Sequence, residues 1–229
     1  MLAALLAVIL MTPSREAESS PTRRAREHMV ALIAQRGVDD AAVLAAMRRF
    51  PRHELVPEAY RNQAYDDGPL PIGFGQTISQ PYMVAYMTEA ADVQPGEKVL
   101  EVGTGSGYQA AILALVGARV FTIEIVPELG ERARRDLARL SIDNVTVRVG
   151  DGYRGWPEEA PFDAIVVTAA PLSVPPPLLA QLADRGRLVI PVGELGDQTI
   201  EIHQKHGDRV DVTRSFPVRF VPMTGEAEH

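Results

Sequence analysis

Apolar positions along the first part of the chain fall at helical spacing. Met29, Leu32 and Ile33 share one face of a stretch that opens at Ser20-Pro21 and ends at Gly37. Asp39 or Asp40 caps a second helix, AAVLAAMRRF, which must stop before Pro51. PRHELVPEAYRNQAY continues irregularly, with a short helix after Pro57, and His53 within it reads as a surface or packing residue. DDGPLPIGFGQTISQPYM, residues 66–83, has no clear period and reads as a long loop, until Pro81 starts the helix PYMVAYMTEAAD. At Lys98 the pattern changes. Val99, Leu100 and Val102 form the short apolar run of a strand buried on both faces, three alternating glycines follow, and AAILAL after Tyr108 suits a helix packed closely on a sheet. Further strands are predicted over residues 119–125, 145–149, 162–168 and 187–191, with helices over 127–140 and 175–184. After Gly193, TIEIH and RVDVT alternate with period two around a turn at His206-Gly207-Asp208, which predicts an antiparallel hairpin at a sheet edge. The succession predicts an α/β fold: a doubly wound, mostly parallel sheet of Rossmann-like type, with an antiparallel edge and an N-terminal helical cap. Residues 1–20 read as an extension, and 21–229 as one domain, of which 21–80 form the cap and a functional loop and 81–229 the α/β core.

Composition removes several classes of function. With 30 acidic and 23 basic residues the net charge is −7, so no nucleic-acid partner is expected. The absence of cysteine excludes disulfides, thiolate metal sites and a cysteine nucleophile. His203 and His206 have no third ligand nearby and read as turn-flanking polar residues, so no metal is expected. The opening MLAALLAVILM is too short to span a bilayer as it stands. It has no Lys or Arg before it and no clean small-residue cleavage site after it. A cytoplasmic monomer without a stable membrane partner is expected, with export the alternative if residues 1–11 act as a signal.

The chemistry centres on residues 98–111, KVLEVGTGSGYQAA. Strand, glycine-rich turn and helix open a nucleotide-binding unit. A dinucleotide turn needs glycine at 108, where this chain has Tyr108, and no GxxxxGK[ST] is present. What stands here is ExGxGxG: Glu101, Gly103, Gly105, Gly107. Glu101 at the strand end can meet a cation, such as the ammonium of the methionine moiety of S-adenosylmethionine, while Gly103 and Gly105 let the backbone approach the ligand. Glu124, at the end of the next strand, either accepts both ribose hydroxyls of a nucleoside or is an exposed strand-end charge. Asp151, between Gly150 and Gly152, accepts from an adenine amino group or merely forms a turn.

PLPIGFGQTISQPYMVA followed by VLEVGTGSGYQAAILA resembles the protein-L-isoaspartate (D-aspartate) O-methyltransferase family. The resemblance continues through GDGYRGWPEEAPFDAIVVTAAP, LVIPVGE and RFVPM and so covers nearly the whole chain; the hydrophobic N-terminal extension departs from it. It implies methyl transfer from S-adenosylmethionine, leaving S-adenosylhomocysteine, to the α-carboxyl of L-isoaspartyl residues and the β-carboxyl of D-aspartyl residues in damaged proteins and peptides. The ester then closes spontaneously to a succinimide, whose hydrolysis returns some normal aspartate. The resemblance also implies cofactor contacts at Gln76, Thr77, Ile78, Ser79, Ser106, Glu124, Ile125, Asp151, Gly152 and Thr224, and places the family's active-site serine on Ser79.

A carboxylate acceptor, with a pKa near ~4, is already ionised at neutral pH and needs no general base. The site must hold it near the methyl group without pairing it so tightly that its nucleophilicity is lost. Hydroxyls and backbone N–H groups do this better than arginine, and Ser79 with Thr77 suits that role as an orienting donor. A small-molecule carboxylate O-methyltransferase and a non-catalytic cofactor-binding module on the same fold remain the alternatives. The exit TAAP of the fourth strand is not the polar-Pro-Pro-aromatic exit of amino-group DNA methyltransferases.

Overall fold

A computed structural model describes residues 20–228. The apolar N-terminal run, and with it the targeting expectation, lies outside the described residues.

Two helices come first, α1 (Ser20–Gln35) and α2 (Ala41–Arg49). Asp40 starts α2 by accepting the Ala42 and Val43 amides at 2.7 and 2.9 Å, which satisfies donors that have no partner in a first turn. Two 3₁₀ turns follow, Arg52–Leu55 and Glu58–Gln63.

The stretch expected as a loop is partly a hairpin. β1 (Leu70–Gly73) and β2 (Gln76–Ile78) pair antiparallel as a separate two-stranded sheet. Gly73, Phe74 and Gly75 take φ of 91°, 54° and 71° and reverse the chain within three residues. Leu70, Ile72 and Ile78 point into the core. Strands of three and four residues are too short to show their alternation, which is why the pattern read as a loop. Next comes α3 (Pro81–Ala91). Asp67 caps it from the far side of the hairpin by accepting the Tyr82 amide at 2.9 Å.

The main sheet holds β3 (Lys98–Val102), β4 (Arg119–Glu124), β5 (Val145–Val149), β6 (Phe162–Val167), β7 (Leu182–Glu194), β8 (Asp197–His206) and β9 (Arg209–Val218). Its order is β5-β4-β3-β6-β7-β8-β9. Pairings from β5 to β7 are parallel, and those of β8 with β7 and β9 are antiparallel. The doubly wound sheet with an antiparallel edge is therefore the architecture found. Helices α4 (Tyr108–Leu115), α5 (Pro127–Arg139) and α6 (Pro176–Ala180) connect the strands. Strand order reverses between β3 and β6, which opens a crevice at the carboxyl ends of β3, β4 and β6. Side chains alternate across the sheet. Val99 joins a core shared with α1 to α5, whereas Leu100 and Val102 join a second core with Phe121, Ile165 and Leu178 on the other face.

Two expectations need correction. The helix expected over 175–184 is only Pro176–Ala180, and the last parallel strand starts at Leu182 and runs to Glu194 rather than spanning 187–191. Gln181 stops the helix. Its carbonyl accepts the Phe162 amide at 2.9 Å, and its side chain accepts from Trp156 N at 2.7 Å and donates to the Arg154 carbonyl at 2.8 Å. His203, expected beside a turn, is buried in β8, with Nε2 2.9 Å from Glu201 Oε2, while Arg214 Nε donates to the other oxygen of Glu201. His206 does stand at the turn, 3.6 Å from Asp211. Among the described residues no group of three or more His, Cys, Asp or Glu could hold a metal ion, and no helix is long and apolar enough to cross a membrane.

Candidate active site

The crevice contains a cavity lined by Gly152, by Thr168 at the exit of β6, and by four longer stretches of the chain. Gln76, Thr77 and Ser79 come from the hairpin, Glu101 to Ser106 from β3 and its turn, Glu124 and Ile125 from the end of β4, and Val221 to Thr224 from the C-terminal segment. That last segment is held beside the exit of β6: Ala170 N donates to the Val221 carbonyl and Met223 N to the Ala170 carbonyl, both at 2.8 Å. The pairing brings Thr224 to the cavity.

At Gly103 the turn has room for backbone only. Its φ is 97°, and an added Cβ would lie 2.4 Å from Thr168 Oγ1, a separation no methyl group tolerates. Thr168 uses the gap by donating to the Gly103 carbonyl at 2.6 Å.

Two carboxylates face this turn from one side of the sheet. Glu101 and Thr122 are register partners on β3 and β4, and Thr122 Oγ1 donates to Glu101 Oε2 at 2.5 Å. Thr104 Oγ1 lies 2.6 Å from Thr122 Oγ1, so three polar side chains form a buried row. The other oxygen, Glu101 Oε1, is buried and has no hydrogen-bond partner. Burial raises the Glu101 pKa to about 8; the Thr122 hydrogen bond opposes the rise, Glu124 adds to it, and the Ala110 backbone opposes it weakly. Glu124 is only 4% exposed, so it is not a solvated strand-end charge. Its Oε2 accepts the Gly105 amide at 2.7 Å and its Oε1 the Val126 amide at 3.0 Å. Each oxygen keeps further acceptor capacity.

Beside the cavity lies an open cleft of about 800 Å³, lined among others by Met83, Leu195, Phe216 and Phe220, with Arg36 and Arg219 as its cations. Thr77, Ser79, Thr168, Val221 and Pro222 line both spaces. Ser79 thus stands where two binding spaces meet.

The match to the model of the protein-L-isoaspartate (D-aspartate) O-methyltransferase family spans residues 23–228. The chain belongs to this family. A protein-L-isoaspartate O-methyltransferase of Gloeobacter violaceus is 59% identical over 83% of this chain and 94% of its own length. One of a Picosynechococcus species is 53% identical over 95% and 98%. A solved structure described as a protein-L-isoaspartate O-methyltransferase superimposes with a TM-score of 0.81 at 31% identity, over 88% of this chain and 67% of that one. A Plasmodium falciparum structure, described as a putative member in complex with S-adenosyl-L-homocysteine, gives 0.75 at 28% identity, over 87% and 98%. The protein is accordingly an S-adenosylmethionine-dependent methyltransferase of the isoaspartyl-directed family.

The residues present fit that cofactor. Glu101 offers a buried carboxylate oxygen without a partner, suited to an ammonium group. Glu124 offers acceptor sites for hydroxyls, and Gly103 leaves the turn open. Of the site residues expected from sequence, Gln76, Thr77, Ser79, Glu101, Gly103, Gly105, Ser106, Glu124, Ile125, Gly152 and Thr224 all line the cavity. Two do not. Ile78 is 1% exposed and packs into the core. The Asp151 carboxylate accepts the Tyr153 amide at 2.9 Å and the Glu226 amide at 2.8 Å, bonds that hold its turn and clasp the C-terminal segment. Thr104, Tyr108, Gln109, Thr168 and Val221 to Met223 line the cavity without having been expected there. Thr168 carried a signal, as the exit residue of a parallel strand at a switch point.

Proposed function

We propose that this chain carries the methyl group of S-adenosylmethionine to the free carboxyl of an L-isoaspartyl or D-aspartyl residue of a damaged polypeptide, with Ser79 as the residue that orients the acceptor carboxylate. The observation that carries this reading is the shared wall: Ser79 and Thr77 line the cofactor cavity and the open cleft together. The cofactor supplies an electrophilic methyl group on a sulfonium. The acceptor carboxylate arrives ionised, so Ser79 needs only to donate a hydrogen bond to the oxygen that does not attack. Thr77, two residues earlier on β2, offers a second hydroxyl. Burial of the cavity floor keeps water from competing for the methyl group. The adjoining cleft, about 800 Å³ and apolar over much of its wall, suits a stretch of polypeptide better than a free small acid.

The remaining expectations belong to the same proposal. A monomeric state is one of them. The net charge of −7 disfavours nucleic acid as a partner. A cytoplasmic location belongs to the proposal as well.

Incubation with radiolabelled S-adenosylmethionine and matched isoaspartyl and aspartyl peptides tests the reading. Base-labile label on the isoaspartyl peptide alone is expected. Label on free acids and not on the peptide would make this a small-molecule enzyme, and cofactor binding without any ester would make it a binding module.

A further inference from the structure

Arg52 is a fully buried arginine, 0% exposed, in the short 3₁₀ turn after Pro51. Its guanidinium donates to three backbone carbonyls: Ala64, Gly68 at 3.2 Å and Ser79 at 3.1 Å. Among the described residues no ion pair involves it, and the neighbouring Asp67 pairs with Arg36 and caps α3 instead. Burial holds the pKa of this group below the usual arginine value, and the phenolic and acidic groups around it, Tyr108, Tyr65, Asp67 and Asp66, offset that only in part. An arginine so placed remains a cation.

We infer that Arg52 is a positioning residue for methyl transfer, which fixes the backbone of Ser79 from beneath and sets a positive charge behind the acceptor carboxylate without touching it. This rests on the assignment of Ser79 made above. The three carbonyls lie at the entry, the start and the exit of the segment that carries the β1–β2 hairpin, so a single side chain ties both ends of that segment together. Gln80 Nε2 donates to the Asp67 carboxylate at 2.9 Å and to its carbonyl at 3.1 Å, which clamps the residue after Ser79 to the same entry. On its other side, the guanidinium carbon of Arg52 lies 5.5 Å from the ring centroid of Tyr108, which lines the cofactor cavity. One buried cation therefore contacts both the segment bearing the Ser79 hydroxyl and the helix that begins at the glycine turn.

A buried cation without a carboxylate partner is costly, and a neutral donor could satisfy backbone carbonyls without carrying a charge. The reaction accounts for the charge. Direct pairing of the acceptor with an arginine would occupy the lone pair that must attack. A cation one peptide group further back favours the ionised acceptor through space, in surroundings where screening by water is weak, and leaves its oxygens free.

A double-mutant cycle tests this, with kinetics on an isoaspartyl peptide and calorimetric titration of S-adenosylhomocysteine on Arg52→Lys, Ser79→Ala and the double variant. Arg52→Lys is expected to lower kcat/KM about tenfold or more and to leave cofactor affinity within about threefold. In the Ser79→Ala background the same change is expected to cost less than about threefold, because lysine keeps the positive charge and the hydroxyl that Arg52 positions is gone. An equal cost in both backgrounds would overturn the inference, as would a loss confined to the fraction of molecules that bind cofactor. Should Arg52→Lys not fold, Arg52→Met takes its place in the cycle, and failure of both to fold would assign Arg52 to folding alone. Ser79→Ala turning over at the wild-type rate would be a different result: it would remove Ser79 from its role and leave the family chemistry standing.

Discussion

Glu101 and Thr122 face each other across the β3–β4 pair, and the Thr122 hydroxyl donates to one oxygen of Glu101 while the other oxygen has no partner. A buried carboxyl in this position is half prepared for a cation. With the cavity free of ligand its pKa is about 8, above the ordinary 4.5 because burial disfavours the charged form.

The first prediction concerns pH. The native pKa of Glu101 lies above the unfolded one, so the native state binds more protons than the unfolded state between about pH 4.5 and 8. Stability of the ligand-free protein therefore falls as pH rises through that window. Glu101→Gln, which cannot ionise, is expected to flatten this part of the stability curve and to melt higher than wild type at pH 8. Melting curves from pH 5 to 8.5 check it; parallel slopes for the two proteins would refute it.

Cofactor binding reads the same group in the opposite sense. An ammonium placed against Glu101 favours the carboxylate, so binding of S-adenosylhomocysteine near pH 7 is expected to release a proton from wild type. Glu101→Gln should lose that release and bind at least about tenfold more weakly, as for a lost hydrogen bond to a charged group. Calorimetry in buffers of different ionisation enthalpy measures both quantities.

Glu124 accepts the Gly105 amide and lines the cavity at the end of β4. Glu124→Ala removes a turn acceptor and a ligand acceptor together. Hydrogen bonds to a charged group contribute about 1.5–3 kcal/mol each, so affinity for the cofactor product is expected to fall about 10- to 100-fold or more. Unchanged affinity in a folded variant would exclude Glu124 from the site.

Ser79→Ala is expected to slow methyl transfer to an isoaspartyl peptide about 10- to 100-fold, one hydrogen bond's worth, with cofactor affinity little changed. A covalent or basic role for the hydroxyl would show as a far larger loss in the same assay.

Gly103→Ala should abolish cofactor binding or force the turn to move, since the new methyl group would meet Thr168 Oγ1 at 2.4 Å on a backbone with φ of 97°. A thermal shift with S-adenosylhomocysteine is expected for wild type and not for this variant, and NAD is expected to shift neither.

Much of the architecture can be read from local pattern, because it depends on interactions close in sequence. The apolar run at Val99 to Val102, the glycines that follow and the alternation in TIEIH each set a local conformation, and their order leaves a doubly wound sheet with an antiparallel edge as the arrangement that buries them. The ExGxGxG turn and the QTISQP stretch carry the family resemblance in the same local way. Where several polar partners compete, local pattern fails. Residues 181–184 have helical neighbours, yet Gln181 is taken by Trp156 and Arg154, partners more than twenty residues away. Arg52 shows the limit most plainly. In PRHELVPEAYRNQAY an arginine looks like a solvated charge, and its three carbonyl partners become its environment only when the hairpin segment folds back over it. The pKa of Glu101 is likewise a tertiary property. Its sequence supplies a carboxyl at a strand end, and the register with Thr122, together with the closure of the core around both, decides how readily that carboxyl gives up its proton.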